Sequence, residues 1–268
     1  MIEKIYPAPP EYDVFKKRIR EMTGVDLDAY KYQIHRRVHM LMQRWGISDY
    51  DVYHKTIRDN DERLREFLDY LTINVSEFFR NPQRWWELRD TVIPAIIKGR
   101  SDKRLRLWSA GSATGEEPYS LAILSLELGL TVPPKVRASD IDAGAIRKAK
   151  EATYHKRQLV NTPPAWIEKY FSPLGEETLQ VKNSVRDRVQ FSRDNLIEDA
   201  FEEGYDLILC RNVVIYFSPE TKAKLYEKFF KALAPGGYLM VGSTEQIFEY
   251  RKLGLESAGP FLYRRPAR

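Results

Sequence analysis

The chain has 268 residues, of which 43% are hydrophobic and 30% charged, and its formal net charge is +5. This length suits one large or two modest domains with a buried core, and a charge this mild does not by itself indicate a nucleic-acid partner. No apolar run approaches the ~18 residues of a membrane span and no secretion signal opens the chain, while the single cysteine, Cys210, excludes a disulfide framework, so a reducing cytoplasm is expected.

The first ~75 residues are predicted to be helical. Apolar residues recur there at spacings of three and four, which places them on one face of a helix that Gly46 should end. The residues of this apolar stripe are Leu27, Tyr30, Ile34, Val38, Leu41 and Trp45. A further helix is predicted to carry Leu64, Phe67, Leu68 and Leu71.

Charge is divided unevenly within this helical region. Residues 14–45 hold eight basic and three acidic side chains, whereas residues 46–75 hold four basic and seven acidic ones. Arg37 and Arg44 share one side of the predicted helix, next to its apolar stripe. Charge alone leaves two interpretations open, which are a solvated helix face and a docking surface for an acidic partner.

From about residue 100, short apolar runs alternate with helical stretches. Strands are predicted at residues 105–110, 135–140, 205–210 and 237–243, with a last one near 261–265. Helices are predicted at residues 118–130, 143–152 and 219–233. This alternation favours an α/β fold with a parallel sheet covered on both faces. Residues 171–192 alternate over shorter runs broken by turn residues, which predicts a small antiparallel insert.

The loop after the first of these strands contains Gly111 and Gly115, which allow a ligand to approach the backbone closely. It does not have the G-x-G-x-x-G pattern, so the dinucleotide fingerprint is absent. Glu116 and Glu117 would repel a diphosphate at this position. They suit instead a cofactor with a cationic amino-acid end.

Three weaker signals follow in chain order. Asp140 ends the second predicted strand, where an acid commonly accepts hydrogen bonds from ribose hydroxyls, whereas Asp142 fits an ordinary helix N-cap. Asn195 follows the insert at a position suited to an adenine edge. The turn Pro235-Gly236-Gly237 before a late strand is typical of S-adenosylmethionine methyltransferases. Each of these signals, and the glycine loop before them, also has a purely structural interpretation, but the four together, in this order, are much stronger than any one.

Six segments resemble the chemotaxis receptor methyltransferases of the CheR type. They are TINVSEFFRN (72–81), WSAGSATGEEPYSLA (108–122), ASDID (138–142), DNL (194–196), CRNVVIYF (210–217) and LAPGGYLMVGSTE (233–245). The resemblance implies a helical domain over residues 1–75 and, over 76–268, a Rossmann-like methyltransferase domain with the antiparallel insert. It also implies transfer of a methyl group from S-adenosylmethionine to chemoreceptor glutamates, leaving S-adenosylhomocysteine.

The resemblance further implies roles for individual residues. Arg80 would hold the incoming carboxylate, and Tyr216 would face the transferring methyl group. Glu117 would meet the amino-acid end of the cofactor, Asp140 its ribose, and Asn195 with the Leu196 backbone its adenine. The remaining expected cofactor contacts are Asn74, Ser76, Arg80, Gly111, Arg211 and Asn212. Ser76 stands where the family usually has threonine, and the hydroxyl is kept.

The expected partners are the acidic cytoplasmic helices of receptors, docking on Arg37 and Arg44. Some family members grip a receptor's C-terminal peptide tether with a glycine-rich loop in the insert. Here that stretch, SPLGEETLQ, is short and has one glycine, so this chain resembles the tether-independent branch. A cytoplasmic monomer recruited to membrane receptors is expected. No metal is expected, because His35 and His39 lie one helical turn apart without an evident third ligand.

Other functions stay open on the residues alone. A nucleic-acid methyltransferase could use the basic 14–45 region, although the Asn/Asp-Pro-Pro-aromatic motif of amino-methylating enzymes is replaced by Cys210-Arg211-Asn212-Val213. A nicotinamide oxidoreductase is disfavoured by the glycine pattern. A scaffold that binds S-adenosylmethionine without turnover is a third alternative.

Overall fold

The computed structural model describes residues 9–30, 33–71, 76–98, 100–133 and 135–267. The chain divides into two compact units. The first comprises Met1–Ile73 with Tyr216–Thr221, and the second comprises Asn74–Ile215 with Lys222–Arg268. The first unit therefore includes a short segment from far along the chain.

The described part of the first unit contains the helices α1 (Pro10–Thr23), α2 (Gln33–Arg44), α3 (Tyr50–Arg58) and α4 (Asp61–Leu71). Helix α1 opens with Pro10, whose missing N–H is not needed in the first turn. It ends at Gly24, which takes a left-handed conformation and donates its N–H to the Arg20 carbonyl. The Asp49 side chain caps α3 by accepting the Val52 N–H at 2.9 Å.

The predicted helix that carries the apolar stripe begins later than its periodicity indicates. Leu27 lies in a short 3-10 helix, Leu27–Ala29, which Asp26 starts by accepting the N–H of Asp28. Tyr30 then forms an isolated antiparallel bridge with Phe217, so its backbone is extended. The spacing predicted burial correctly at Ile34, Val38 and Leu41. It did not predict the helix start, because the Asp26 capping bond and the Tyr30–Phe217 bridge give residues 26–30 another conformation.

Aromatic side chains fill the core of the first unit. Phe15, Tyr53 and Phe67 are fully buried. The ring centroids lie 5.4 Å apart for Phe15–Tyr53 and 5.9 Å apart for Tyr53–Phe67. These separations are those of favourable aromatic pairs, so contacts between α1, α3 and α4 stabilise this unit.

The strands of the described part of the second unit fall into two sheets. They are β1 (Leu107–Ala110), β2 (Val136–Asp140), β3 (Thr153–His155), β4 (Phe171–Pro173), β5 (Thr178–Val181), β6 (Val189–Arg193), β7 (Tyr205–Cys210), β8 (Leu233–Val241), β9 (Glu256–Gly259) and β10 (Leu262–Arg264). The larger sheet has the order β6-β2-β1-β7-β8-β10-β9 and the smaller has β3-β5-β4.

The helices after α4 lie between the strands of the second unit or, for α5 and α6, before them. They are α5 (Pro82–Glu87), α6 (Ile93–Ile97), α7 (Glu116–Glu127), α8 (Ala143–Glu151), α9 (Pro164–Tyr170), α10 (Asn183–Arg186) and α11 (Pro219–Ala232). A π-helical segment, Leu88–Val92, joins α5 to α6. Short 3-10 helices lie at Lys156–Leu159 and Val214–Tyr216.

The five strands β6, β2, β1, β7 and β8 are parallel, whereas β10 pairs antiparallel with β8 on one side and with β9 on the other. Every residue of β1 and β7 is buried, as expected for central strands covered on both faces. The predicted α/β fold with a mostly parallel sheet is confirmed. Because parallel strands end at one edge, the loops after β1, β2, β6 and β7 meet there.

The predicted antiparallel insert exists, but its bounds of 171–192 are wrong. Strand β3, at Thr153–His155, pairs with β5 and completes the small sheet from the other side of α9. Val189–Arg193 instead pairs in parallel with β2 as the edge of the large sheet. Its alternation reflects an edge strand with one covered face, which sequence periodicity does not distinguish from an antiparallel strand.

The described residues contain neither a membrane-spanning helix nor a metal-binding cluster. No helix there is long and apolar enough to cross a membrane. No group of histidine, cysteine, aspartate and glutamate side chains in the same part of the chain could hold a metal ion.

Candidate active site

Four predicted site segments lie at the carboxyl edge of the large sheet. Residues 111–115 follow β1, Asp140 ends β2, Asn195 follows β6, and Arg211 follows β7. The register pairs Ala110 with Ser139, and Asp140 with Arg193, so these strands end level with one another. The fold therefore brings together side chains that are up to 100 residues apart in the sequence.

The loop after β1 is closely packed on both sides. Gly111 has a left-handed backbone (φ 81°), and a Cβ at this position would overlap the Val213 side chain. Gly115 (φ 98°) precedes α7, and a Cβ there would come within 2.8 Å of the Tyr154 hydroxyl. Only glycine satisfies both the conformation and the space at these two positions. Between them, Ser112 is 1% exposed and its hydroxyl has no hydrogen-bond partner within the described residues.

Asp140 ties this loop to β2. Its carboxylate accepts the N–H of Ala113 at 2.8 Å and the N–H of Asp142 at 2.9 Å. Burial raises the pKa of the Asp140 carboxyl, and the two backbone N–H groups oppose that rise. Two bonds leave part of a carboxylate's accepting capacity available. Asp142 is the N-cap of α8, as its position predicted.

Glu117 and Arg211 form a buried ion pair. The Glu117 side chain, in the first turn of α7, lies 3.4 Å from Arg211 and accepts the Ser109 hydroxyl at 2.8 Å. The side chains are only 13% and 3% exposed. Burial raises the pKa of Glu117, and the Arg211 charge opposes this. A carboxylate here, beside the glycine loop, can bind a cationic group.

Arg211 also holds the turn that contains Arg80. Its guanidinium donates to the Arg80 carbonyl at 2.8 Å and to the Asn81 side-chain oxygen at 2.9 Å. The Trp85 indole donates to the same carbonyl at 3.1 Å. Phe79 (φ 52°) and Asn81 (φ 58°) flank Arg80 in left-handed conformations, which are costly for phenylalanine and better tolerated by asparagine. Arg211 is therefore a positioning group for the Arg80 turn, a role that the sequence did not indicate.

The predicted adenine segment is a well-bonded turn. The Asn195 side-chain oxygen accepts the Ile197 N–H at 3.0 Å, and the Asn195 N–H donates to Asp199 at 2.7 Å. The Leu196 carbonyl accepts the Lys228 ammonium at 2.7 Å. These bonds set the shape of the turn, and the adenine contact of Asn195 and Leu196 stays a prediction.

For several other predicted site residues the structure gives at most a position or a degree of burial and does not test the predicted role. Asn74 lies outside the described residues, as does the side chain of Tyr216. Ser76 and Arg80 are half-buried in the second unit. Asn212 follows Arg211 with a left-handed backbone (φ 62°). The roles predicted for these residues stay predictions.

The two predicted docking arginines both have partners within the first unit. Arg37 donates to the Tyr70 carbonyl, and its guanidinium lies 5.3 Å from the Tyr70 ring. Arg44 is paired with Glu66 and lies 5.2 Å from the same ring. More than half of the Arg44 side chain is nevertheless exposed. The Arg44 charge at the surface is thus partly neutralised by Glu66, whereas Arg37 contacts the uncharged Tyr70.

Two buried glutamates have roles that the sequence did not indicate. The sequence predicted that Glu116, like Glu117, would face the cationic end of a cofactor, whereas its carboxylate is bonded within the protein, and Glu245 was not predicted as a site residue. Glu116 is fully buried and accepts the Thr114 hydroxyl at 2.8 Å and the Gln158 amide at 2.6 Å, so it shapes the loop after β1. Glu245 is 2% exposed and accepts backbone N–H groups from the loop after β7. An acid inside an otherwise apolar or glycine-rich segment was the available signal in both cases.

The described residues fit S-adenosylmethionine as the cofactor. The glycine loop offers close backbone approach and the unpartnered Ser112 hydroxyl, Glu117 offers a carboxylate for an ammonium group, and Asp140 can accept from a ribose. The Arg211 Nε–H is buried without a hydrogen-bond partner in the described part of the chain. Such groups need polar partners, which a polar ligand at this edge would supply.

Replacing Asp140 by alanine is expected to weaken S-adenosylhomocysteine binding by about 1–3 kcal/mol, the cost of losing hydrogen bonds to a charged group. Isothermal titration calorimetry measures this directly. The matched control is Asp142→Ala, which removes the α8 cap two residues away and should lower stability by about 1 kcal/mol while leaving affinity unchanged. Equal affinity in Asp140→Ala and the wild type would remove Asp140 from the site.

Comparison with protein families agrees with this arrangement. Residues 74–258 match the family model described as "CheR methyltransferase, SAM binding domain". Residues 10–72 match a second model, "CheR methyltransferase, all-alpha domain". The two matches together span nearly the whole described chain.

Curated relatives are similar over most of their own length. A chemotaxis protein methyltransferase of Listeria innocua is 35% identical over 254 residues, covering 94% of this chain and 96% of that protein. Chemotaxis protein methyltransferase 1 of Pseudomonas aeruginosa is 31% identical over 250 residues, covering 90% and 91%. A chemotaxis protein methyltransferase of Borreliella burgdorferi is 29% identical over 236 residues, covering 84% and 83%.

Proposed function

Because the chain belongs to the CheR methyltransferase family, we propose that it transfers methyl groups from S-adenosylmethionine to glutamate side chains of chemotaxis receptors. The observation that carries this proposal is the buried Glu117–Arg211 pair, which lies beside the glycine loop and positions Arg80. It provides an anion for the cofactor and, through Arg80, a cation for the substrate carboxylate.

The proposed methyl transfer requires alignment of the reacting groups but no general base. A glutamate side chain has an ordinary pKa of ~4.3, so it is already a nucleophilic carboxylate at neutral pH. When bound, S-adenosylmethionine supplies a methyl group attached to a sulfonium sulfur. As the carboxylate oxygen bonds to the methyl carbon, the carbon–sulfur bond breaks and the neutral thioether S-adenosylhomocysteine is released. Alignment of the reacting groups can contribute ~7–11 kcal/mol.

The proposed catalytic residues are Arg80 and Tyr216. Arg80 holds the incoming carboxylate through its guanidinium, while its carbonyl is bound by Trp85 and Arg211. Tyr216 orients the carboxylate or stabilises the sulfonium through its ring. The proposed cofactor contacts are Asn74, Ser76, Arg80, Gly111, Glu117, Asp140, Asn195, Leu196, Arg211 and Asn212.

The proposed partners are the acidic cytoplasmic helices of membrane receptors, approached by a monomeric protein in the cytoplasm. The helical domain, residues 1–75, supplies the receptor-docking face, and residues 76–268 supply the methyltransferase domain. The insert has a short turn in which Leu174 and Gly175 both donate to the Thr178 carbonyl. A turn closed in this way supports recognition without a peptide tether.

The proposed function is tested by incubating the protein with methyl-labelled S-adenosylmethionine and three acceptors. These are a receptor methylation fragment, the same fragment with its glutamates changed to alanine, and duplex DNA with RNA. Base-labile label on the intact fragment alone is the expected result, since methyl esters hydrolyse in base. Label on nucleic acid, or cofactor binding without any transfer, would contradict the proposal.

Reversing Arg37 and Arg44 to glutamate is expected to reduce receptor methylation at low salt while S-adenosylhomocysteine affinity stays unchanged. A positive surface speeds encounter with an acidic partner, and this effect weakens as salt rises because charges are screened beyond ~8 Å at physiological ionic strength. The measurement is the initial methylation rate over a salt series, in which the wild type and the variant should converge at high salt.

The matched control reverses Lys55 and Arg58 on α3, which changes the net charge of the same unit equally. Thermal melting checks the loss of the Arg44–Glu66 pair. A docking role for Arg37 and Arg44 is contradicted if both double variants methylate the fragment at the same rate.

A further inference from the structure

The buried carboxylate of Glu245 lies against the loop that follows β7. One of its oxygens accepts the Asn212 N–H and the Gly242 N–H, both at 2.7 Å, and the other accepts the Ile215 N–H at 3.1 Å. Glu245 is 2% exposed. A buried carboxylate is costly unless it is fully hydrogen-bonded, and here the main chain of the 212–215 loop supplies two of the donors.

The first residue of that loop has a strained backbone. Asn212 has φ 62°, in the left-handed region that non-glycine residues seldom occupy. Asparagine tolerates this region better than most residues, but the conformation persists only when the surroundings over-determine it. The bond from the Asn212 N–H to Glu245 is such a constraint, because it fixes the direction of the peptide group that precedes the Asn212 side chain.

Two glycines leave room for this arrangement. A Cβ on Gly242 would lie 2.9 Å from the Asn212 backbone nitrogen and would overlap the Glu245 carboxylate. On the other side of the loop, Val213 occupies the space that a Cβ on Gly111 would need. The 212–215 loop is thus held between the Gly242–Glu245 turn and the glycine loop after β1.

We propose that Glu245 is a positioning residue of the methyl-transfer site, whose carboxylate sets the conformation of the 212–215 loop and thereby places Asn212 against the cofactor. This inference rests on the proposed function, which assigns Asn212 to the cofactor site. In this role Glu245 acts through main-chain N–H groups rather than by contact with cofactor or substrate. These charge-assisted bonds are strong enough to hold a strained loop.

The test compares Glu245→Gln with the wild type and with Asp206→Asn. Glutamine keeps one oxygen but turns an amide NH₂ group toward main-chain donors, so at least one bond is lost. Asp206 is an equally suited control. It is a buried carboxylate at the opposite end of β7, accepting the Arg106 N–H at 2.8 Å and pairing with Arg100 at 2.6 Å.

Two readouts separate positioning from general stability. In Glu245→Gln, calorimetry should show S-adenosylhomocysteine affinity about fivefold to tenfold weaker, and hydrogen exchange of the 211–216 peptide should rise about tenfold, as expected for the loss of one hydrogen bond of ordinary strength. In Asp206→Asn, both quantities should match the wild type even where the melting temperature falls. Glu245→Asp, which keeps the charge, should lie between Glu245→Gln and the wild type.

Wild-type affinity and wild-type exchange of the 211–216 peptide in folded Glu245→Gln would overturn the inference. It is overturned equally if Glu245→Gln and Glu245→Asp both fail to fold while Asp206→Asn folds, since Glu245 would then be a requirement of the whole domain. The proposed function is judged separately, by methyl transfer of the wild-type protein to the receptor fragment. If the wild-type protein transfers no methyl group, the proposed function fails, while the affinity and exchange results still decide whether Glu245 positions the 212–215 loop.

Discussion

Replacing Arg211 by methionine is expected to lower the free energy of unfolding by about 3–5 kcal/mol, because it leaves the Glu117 carboxylate buried without its partner. Both side chains are almost fully buried, and Arg211 also supplies donors to the Arg80 carbonyl and Asn81. Burial already raises the pKa of Glu117, and loss of the arginine charge should raise it further. The Glu117 carboxyl then tends to be protonated and loses its attraction for the cofactor ammonium. Chemical denaturation and calorimetry with S-adenosylhomocysteine measure the two effects.

The sign of the pH dependence follows from that pKa. In Arg211→Met, the folded-state pKa of Glu117 lies above the unfolded one, so the folded state binds more protons and stability should fall as pH rises through the folded pKa. The double variant Arg211→Met/Glu117→Gln should recover most of the stability but not the affinity. Recovery of affinity in the double variant, or an unchanged unfolding free energy in the single one, would contradict the role given to this pair.

Replacing Arg80 by alanine is expected to lower the methyl-transfer rate at saturating substrates by about 100-fold, the scale on which misplacing a reacting group costs rate. The fold should tolerate the change, because the contacts that fix this turn are made by the Arg80 carbonyl, which alanine keeps. The melting temperature should shift by less than about 3 °C, equivalent to roughly 1 kcal/mol in a chain of this size. Single-turnover rates with a receptor fragment provide the measurement.

The control for Arg80 is Arg84→Ala, four residues further along the chain. Arg84 pairs with Glu87 at 2.6 Å, so its removal should leave the transfer rate unchanged. S-adenosylhomocysteine affinity then distinguishes between the two roles proposed for Arg80, which are holding the receptor carboxylate and contacting the cofactor. A lower rate with normal affinity indicates that Arg80 holds the receptor carboxylate, and weaker binding indicates a cofactor contact. A wild-type rate with wild-type affinity would refute both.

The sequence was most informative where the signal is local. The run at 205–210 predicts β7 with its observed bounds, because a strand buried on both faces consists mostly of apolar residues, here all but Asp206. Asp142 predicts the start of α8, because an N-cap acts on N–H groups within three residues of itself. The alternation of strands and helices then implies a parallel sheet, whose shared carboxyl edge brings the loops after β1, β2, β6 and β7 together.

Other features depended on partners far along the chain. Arg211 and Glu117 are 94 residues apart, and Arg211 and Arg80 are 131 apart. The small sheet needs β3 from before α9, and the edge of the large sheet takes β6 from what had been predicted as insert. Local sequence signals therefore determined which residues become buried in most elements, and where an element begins when its cap is adjacent, as at Asp142. Tertiary packing alone decided which carboxylates meet which arginines and main-chain N–H groups, because those contacts depend on strand order and register, which no local period encodes.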